Sequence, residues 1–100
     1  MTPAGAFTVP ADHPALPGHF PGRPVVPGVV LLDHVVEAVL RRAPGRRASG
    51  LPVVKFLRPV LPGQTVEIRS AEPDGGRVAF ACLIGEVEVL RGAVLLEGAA

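Results

Sequence analysis

The chain lacks tryptophan and tyrosine and has only four phenylalanines among its 100 residues. Its hydrophobic core must therefore be built from aliphatic side chains. The many valines favour strands over a helical bundle. Twelve prolines and twelve glycines supply the tight connections that short strands need. The composition thus favours short strands joined by turns.

Cysteine and net charge are also scarce, and both absences exclude classes of protein. A single cysteine, Cys82, excludes an internal disulfide and fits a reducing compartment. A net charge of +1 gives no reason to expect nucleic-acid or membrane binding. The chain opens on no signal-peptide pattern, and its longest apolar run is too short and interrupted to span a bilayer. We therefore expect a cytoplasmic protein that forms a single domain over residues 1–100.

One helix is predicted, over residues 28–42. Pro27 suits the first helical position, and Arg41 and Arg42 suit the carboxyl end of the helix dipole. Apolar residues cover most of the circumference, which predicts a helix buried on nearly every side.

The rest of the pattern indicates strands. A short strand is predicted over residues 6–10, and four more over 51–60, 64–71, 77–84 and 87–97. Turn signals lie at 61–63, at 73–76 and near Gly85. We expect these four strands to form an antiparallel meander wrapped around the helix. A core this small would also gain from association with a second subunit.

The segment GHFPGRPVVPG, residues 18–28, holds the first candidate for chemistry. Its prolines restrict the backbone, so His19 can be held in a fixed place. The Gly28 N–H has no partner inside the helix and can polarise a carbonyl oxygen. The Asp33 carboxylate follows in the apolar helix, where burial would favour the protonated form that a general acid needs. Together these groups suit proton removal next to a carbonyl, although a solvated His19 and an arginine-paired Asp33 would explain the residues equally well.

The segment GHFPGRPVVPGVVLLD resembles the active-site segment of the β-hydroxyacyl-acyl-carrier-protein dehydratases, a hotdog-fold family. In that pattern a histidine precedes Phe-Pro-Gly-x-Pro-x-x-Pro-Gly, and an acid follows the histidine by fourteen positions, as Asp33 follows His19 here. A second stretch, VVKFLRPVLPGQTVEI, resembles the family strand with Lys-Phe, Arg-Pro and Pro-Gly at the same offsets. The acid is Asp, as in dehydratases that also isomerise and in aryl-polyene-type dehydratases, whereas the common fatty-acid enzymes carry Glu. This favours a specialised pathway.

The resemblance implies a hotdog fold and dehydration of a 3-hydroxyacyl thioester to the trans-2-enoyl thioester, without metal or redox cofactor. His19 would be the base at C2, and Asp33 would assist departure of the 3-hydroxyl. The Gly28 N–H would hold the thioester carbonyl and the Val25 carbonyl would orient His19. Phe20 and Arg23 are further candidates for substrate contact. The resemblance also implies an active site at the interface of a homodimer or heterodimer, and an acyl carrier protein as the substrate's carrier.

Two other functions stay open at this point. A hotdog thioesterase would use Asp33 to activate water, and an accessory subunit would bind thioesters without turnover.

The remaining polar residues favour structural roles. We expect His13 to be solvated, His34 to be structural and Cys82 to pack in the core, and the histidines form no metal-ligand pattern. Four arginines (Arg41, Arg42, Arg46, Arg47) either complement the helix dipole or form a docking patch for an acidic carrier protein.

Overall fold

The computed structural model of the protein describes residues 1–16 and 24–98. Within these residues the chain forms one helix and five strands, in the order β1 (Thr2–Thr8), α1 (Gly28–Arg41), β2 (Arg47–Phe56), β3 (Thr65–Ser70), β4 (Arg77–Ile84) and β5 (Val87–Glu97). No helix in the described part is long and apolar enough to cross a bilayer.

The described strands pair in one antiparallel sheet with the order β1-β3-β4-β5-β2. β3, β4 and β5 form the predicted meander. The prediction that β2 belongs to this meander is wrong, because β2 pairs with β5 at one edge of the sheet. Close approach of β2 is possible because Gly92 has no side chain. An added Cβ there would overlap the Val53 carbonyl oxygen.

The predicted turns are confirmed, and they explain why the later strands are where the pattern places them. Asp74 and Arg77 exchange backbone hydrogen bonds of 2.9 and 3.0 Å. Gly75 and Gly76 between them have φ of 60° and 79°, the left-handed values that a two-residue hairpin turn requires. β4 and β5 consequently match their predicted bounds. The first two strands do not, since pairing with β3 and β5 extends them toward their amino ends, to Thr2 and Arg47.

The helix packs against one face of the sheet. It ends at Arg41 rather than Arg42, and Pro27 is its N-cap rather than its first residue. Its buried side chains are Val30, Leu31, Val35, Ala38 and Val39. They meet a layer of buried sheet residues that includes Ile68, Phe80, Leu90 and Val94. Burial of such side chains contributes about 1.5–3 kcal/mol each and fixes the helix axis across the strands.

The opposite face of the helix is exposed, which corrects the prediction that the helix is buried on nearly every side. Val29 keeps 65% of its surface exposed. Asp33, Glu37 and Arg41 continue the same stripe at intervals of four residues. The sheet covers one side of α1, and no described residue covers this stripe. The apolar character of Val29 therefore has no explanation within the described chain.

Candidate active site

A cleft of about 360 Å³ opens where α1 begins. Its walls are the chain that leads into the helix, the first turn of α1, and the connection from β2 to β3. The lining residues are Val25, Val26, Pro27, Gly28, Leu31, Phe56, Leu57, Arg58, Pro59 and Val60. The Val26 N–H donates a hydrogen bond of 2.8 Å to the Val60 carbonyl, which joins the first wall to the third.

The amino end of α1 presents unpaired N–H groups at this cleft. Pro27 has φ −58° and ψ 142° and makes no side-chain cap. The Val30 and Leu31 N–H groups donate to the Pro27 carbonyl at 3.0 and 3.4 Å. For Gly28 and Val29, residues 1–16 and 24–98 offer no acceptor. The positive end of the helix dipole adds to these donors, so a carbonyl oxygen or an anion is stabilised here.

Phe56 packs directly on Gly28. A Cβ added to Gly28 would lie 2.6 Å from Phe56 Cζ and 2.9 Å from Cε1, inside van der Waals contact. A glycine is therefore needed for the ring to occupy its place. The ring keeps 54% of its residue surface exposed, so it forms a wall of the cleft rather than part of the core.

Asp33 lies about 7–8 Å further along the helix axis than Gly28 and is not among the residues that line the cleft. Its predicted burial is wrong for the chain described, because its side chain belongs to the exposed stripe of α1. The alternative that Asp33 pairs with an arginine is not seen either, since no described ion pair or side-chain hydrogen bond involves Asp33.

The structure brings together two of the six predicted site residues. Val25 and Gly28 both line the cleft, whereas Asp33 faces outward. His19, Phe20 and Arg23 lie outside the described residues, so their roles stay predictions. Sequence reasoning assigned no role to Phe56 or Arg58, although both belong to the second stretch of the family pattern.

The two described histidines have structural partners. His13 is half-buried rather than solvated, and its Nδ1 accepts a hydrogen bond of 3.0 Å from the Ala15 N–H. The His34 ring stacks on Phe7, with ring centroids 4.0 Å apart and planes at 4°. Among residues 1–16 and 24–98, no three His, Cys, Asp or Glu side chains are grouped so that they could hold a metal ion.

The four arginines at and beyond the carboxyl end of α1 are each engaged. Arg41 pairs with Glu37 at 2.9 Å and Arg47 with Glu97 at 2.6 Å. Arg42 Nη1 donates to Ser70 Oγ at 2.7 Å, and Arg46 Nε donates to the Gly98 carbonyl at 3.4 Å. These contacts favour the structural interpretation of the arginines, which lie at the end of the helix away from the cleft.

Cys82 packs in the core as predicted, with 1% of its surface exposed. Burial raises the pKa of its thiol to about 12, because the apolar surroundings disfavour the thiolate. The thiol therefore stays neutral at physiological pH and supplies no nucleophile.

Comparison with known proteins gives these features a family context. A family model described as ApeI-like, ApeI dehydratase, matches residues 2–93. The 3-hydroxyacyl-acyl-carrier-protein dehydratase FabZ of Thermus thermophilus is 36% identical over 96 residues, covering 87% of this chain and 62% of the relative. The FabZ protein of Desulforamulus reducens is 39% identical over 72 residues, covering 64% and 51% respectively. The chain thus spans less than two thirds of the length of these relatives.

Solved structures show the same fold. The dehydratase heterocomplex ApeI:P from Xenorhabdus doucetiae superposes with a TM-score of 0.80 at 26% identity, covering 91% of this chain and 82% of that one. A mutant of the fluoroacetyl-CoA-specific thioesterase FlK superposes with a TM-score of 0.68 at 20% identity, covering 94% and 87%. The latter likeness shows the fold alone. The predicted hotdog fold, an antiparallel sheet with one central helix, is confirmed.

Proposed function

Because this chain belongs to the ApeI-like dehydratase family, we propose that it removes water from 3-hydroxyacyl thioesters to give trans-2-enoyl thioesters. The observation that carries the proposal is the apolar cleft at the amino end of α1, where the Gly28 and Val29 N–H groups have no described acceptor. A thioester carbonyl bound there would have its oxygen stabilised while negative charge develops on it.

The proposed reaction uses three groups, which are the His19 imidazole, the Gly28 N–H and the Asp33 carboxyl group. His19 takes a proton from C2, and the electron pair moves toward the carbonyl, whose oxygen accepts a hydrogen bond from the Gly28 N–H. The double bond then forms between C2 and C3 as the C3–O bond breaks, and Asp33 gives the leaving hydroxyl its proton so that it departs as water. His19 then returns its proton to Asp33 through solvent, which resets both groups.

The exposed Asp33 supports a site completed by a second subunit. An acid on an uncovered helix face is fully hydrated, and a group that protonates a leaving hydroxyl works best in a water-excluded site. Exposed apolar side chains lie on α1, on β2 and directly after β2: Val29, Leu51, Phe56 and Leu57 are 65, 39, 54 and 44% exposed. β2 is also an edge strand with unpaired backbone groups. We propose that the cleft of one subunit, with its His19, is completed by Asp33 of the other.

The names of the relatives support a proposal for the partner and for the carrier. ApeI is named as half of a heterocomplex, so a homodimer and a heterodimer with a second hotdog chain are both consistent with this surface. The FabZ relatives are named for substrates on acyl carrier protein, and we propose the same carrier here.

The function is tested by incubating the protein with a crotonyl thioester and following loss of the enoyl absorbance, since the proposed reaction is reversible. We expect hydration by the wild type and a rate lower by about 10²–10⁴-fold in His19→Ala, as is typical when a general base is removed. Release of free thiol with an unhydrated acyl group would contradict the proposal in favour of a thioesterase. Turnover absent from a folded protein, alone and after addition of a hotdog partner, would favour an accessory subunit.

The proposed interface predicts a change in oligomeric state for Leu51→Asp. In a two-fold dimer this substitution occurs twice, so it removes apolar burial and introduces a charge on both sides of the contact. We expect the dimer dissociation constant to rise by at least about 100-fold, roughly 2.8 kcal/mol. Analytical ultracentrifugation would measure the shift from twice the 10.3 kDa mass of the chain toward a single chain. Val87→Asp is the matched control, because Val87 is 46% exposed and lies at the β4–β5 turn, beyond Leu90, where the pairing of β5 with β2 ends. Equal dissociation in both variants would contradict this interface.

A further inference from the structure

The face of the sheet that points away from α1 carries a groove of about 420 Å³. Its floor is made of small side chains, Ala79 and Ala81 of β4 and Ala93 of β5, with Ala79 directly opposite Ala93 in the ladder. Side chains of successive strand residues point to opposite faces, so these alanines share the outer face while Val78 and Phe80 enter the core. Longer side chains on both sides of the alanines form the walls, and we call this feature the outer groove.

Most of the charged side chains in the walls of the outer groove are cations. Lys55 of β2 lies directly opposite Arg91 of β5, and Arg77 lines the groove on β4. Like charges directly opposite each other on neighbouring strands are destabilising. Among the described residues that line the groove, Glu88 is the one carboxylate, and it lies 3.5 Å from Arg91. Lys55 and Arg77 take part in no ion pair of the described residues.

Glu88 compensates only Arg91 and leaves the charges of Lys55 and Arg77 without a described partner. Its Oε1 atom is shielded from solvent and accepts no hydrogen bond from the described residues. By contrast, Glu67 and Arg69 elsewhere on the same face pair at 2.7 Å and compensate each other. The outer groove therefore combines an apolar floor with three cations against one carboxylate, an arrangement that is complementary to an acidic amphipathic segment.

The outer groove and the candidate active site meet at the end of β2. Lys55 and Phe56 are neighbours in the strand, so their side chains point to opposite faces of the sheet. Lys55 lines the groove, whereas the Phe56 ring packs on Gly28 in the cleft. Leu57 and Arg58, which follow, line the cleft as well. A molecule held in the outer groove is thus separated from the cleft by the end of a single strand.

We propose that the outer groove docks an acidic helix of the acyl carrier protein that brings the substrate. The identity of the partner rests on the proposed function, whereas its acidic character rests on the groove itself. A second copy of this chain is disfavoured as the occupant, because face-to-face packing would bring two sets of unpaired cations together. The arginines beyond the end of α1 are less suitable, since each is already engaged.

The experiment compares two double variants that change net charge equally. Lys55→Glu/Arg77→Glu reverses the cations of the groove, and Arg41→Glu/Arg46→Glu reverses two arginines at the far end of the helix. Binding of a recombinant bacterial acyl carrier protein loaded with a crotonyl group is measured by calorimetry at two salt concentrations. We expect the dissociation constant to rise by at least 10-fold for the groove variant and by less than 3-fold for the control, with the larger effect at low salt. The neutral variant Lys55→Gln/Arg77→Gln should give an intermediate value, and melting curves should show that all variants remain folded.

A second readout separates this inference from the proposed function. Hydration of crotonyl N-acetylcysteamine, a thioester without a carrier protein, should change by less than about two-fold in the groove variant, while KM for the carrier-bound substrate rises. Equal losses of carrier binding in both double variants, or in neither, would overturn the docking proposal even if the enzyme is active. Displacement of the carrier by a short DNA duplex as effectively as by a second acidic carrier would also overturn it. Failure of the wild type to hydrate either thioester would instead overturn the proposed function, and the calorimetric result would still decide whether the groove binds the carrier.

Discussion

Asp33→Asn is expected to lower the rate of thioester hydration and dehydration by about 10²–10⁴-fold, the range typical for loss of a general acid. Asparagine keeps the size of the side chain but cannot give a proton to the leaving hydroxyl. Because Asp33 is exposed on α1 and has no described ion pair, the substitution should leave the melting temperature of the chain within a few degrees of the wild type. The measurement is the rate of change in enoyl absorbance, with a melting curve for each protein.

Glu37→Gln is the matched control for this prediction. Glu37 lies one helical turn beyond Asp33 on the same exposed stripe, and it also bears a carboxylate. It pairs with Arg41 at 2.9 Å, an exposed contact worth only a few tenths of a kcal/mol. We expect Glu37→Gln to retain at least half of the wild-type rate. Comparable losses in both variants would mean that the charge of the stripe, rather than proton donation by Asp33, is what the reaction needs.

The elements that could be predicted from the sequence are those determined by neighbouring residues. The helix begins directly after Pro27, because proline is tolerated at a helix start but not in its interior, and β4 and β5 are bounded by turns that contain Gly75, Gly76 and Gly85. The partner of β2 depends on contacts between residues far apart in the chain. Gly92 is the one sequence feature that relates to this pairing, because its missing side chain lets β2 approach β5. A glycine in a strand pattern indicates a close approach of another backbone, but it does not identify which strand approaches.

The exposed face of α1 shows why the spacing of apolar residues does not by itself predict burial in a single chain. The apolar residues around Asp33 correctly predict a helix. They are also more numerous than a helix on the surface of a protein needs, which led to the prediction of burial on nearly every side. Val29 nevertheless remains 65% exposed in the single chain. An apolar side chain that a second subunit covers has the same sequence signature as one covered by its own sheet, because in both cases the side chain ends up removed from water. The prediction of burial was therefore wrong for the described chain.

The candidate site could be only partly predicted from the sequence for a similar reason. Val25 and Gly28 lie close to each other in the chain; the position of Gly28 at the start of α1 indicated its role, and the family resemblance indicated that of Val25. Phe56 comes to the same place from the end of β2, at a separation that no local pattern connects to Gly28. The family pattern contains both stretches, but it does not state that they touch. The contact between Gly28 and Phe56 could consequently be identified only from the three-dimensional structure.

That contact leads to the second large effect, which is expected from Gly28→Ala. The new Cβ would lie 2.6 Å from Phe56 Cζ, so the ring has to leave its place. Because Phe56 is 54% exposed, the ring can rotate outward, and the cost in stability should stay at or below about 1–3 kcal/mol, the range for overpacking. The cleft, in contrast, gains a methyl group beside the N–H that we propose holds the thioester carbonyl, and it loses the Phe56 ring as a wall. We expect kcat/KM for the crotonyl thioester to fall by about 10²–10³-fold, comparable to the loss of one oxyanion donor.

A double-mutant cycle with Phe56→Leu identifies the cause. Leucine lacks the outer ring atoms that the new Cβ would meet, so Gly28→Ala should cost much less in the Phe56→Leu background than in the wild type. We expect the double variant to be nearly as active as Phe56→Leu alone, with a coupling free energy of about 1–3 kcal/mol between the two positions. Strictly additive losses would mean that the methyl group blocks the thioester directly and that the ring is not involved. Recovery of activity would instead establish that Gly28 is required because Phe56 must lie against the amino end of the helix.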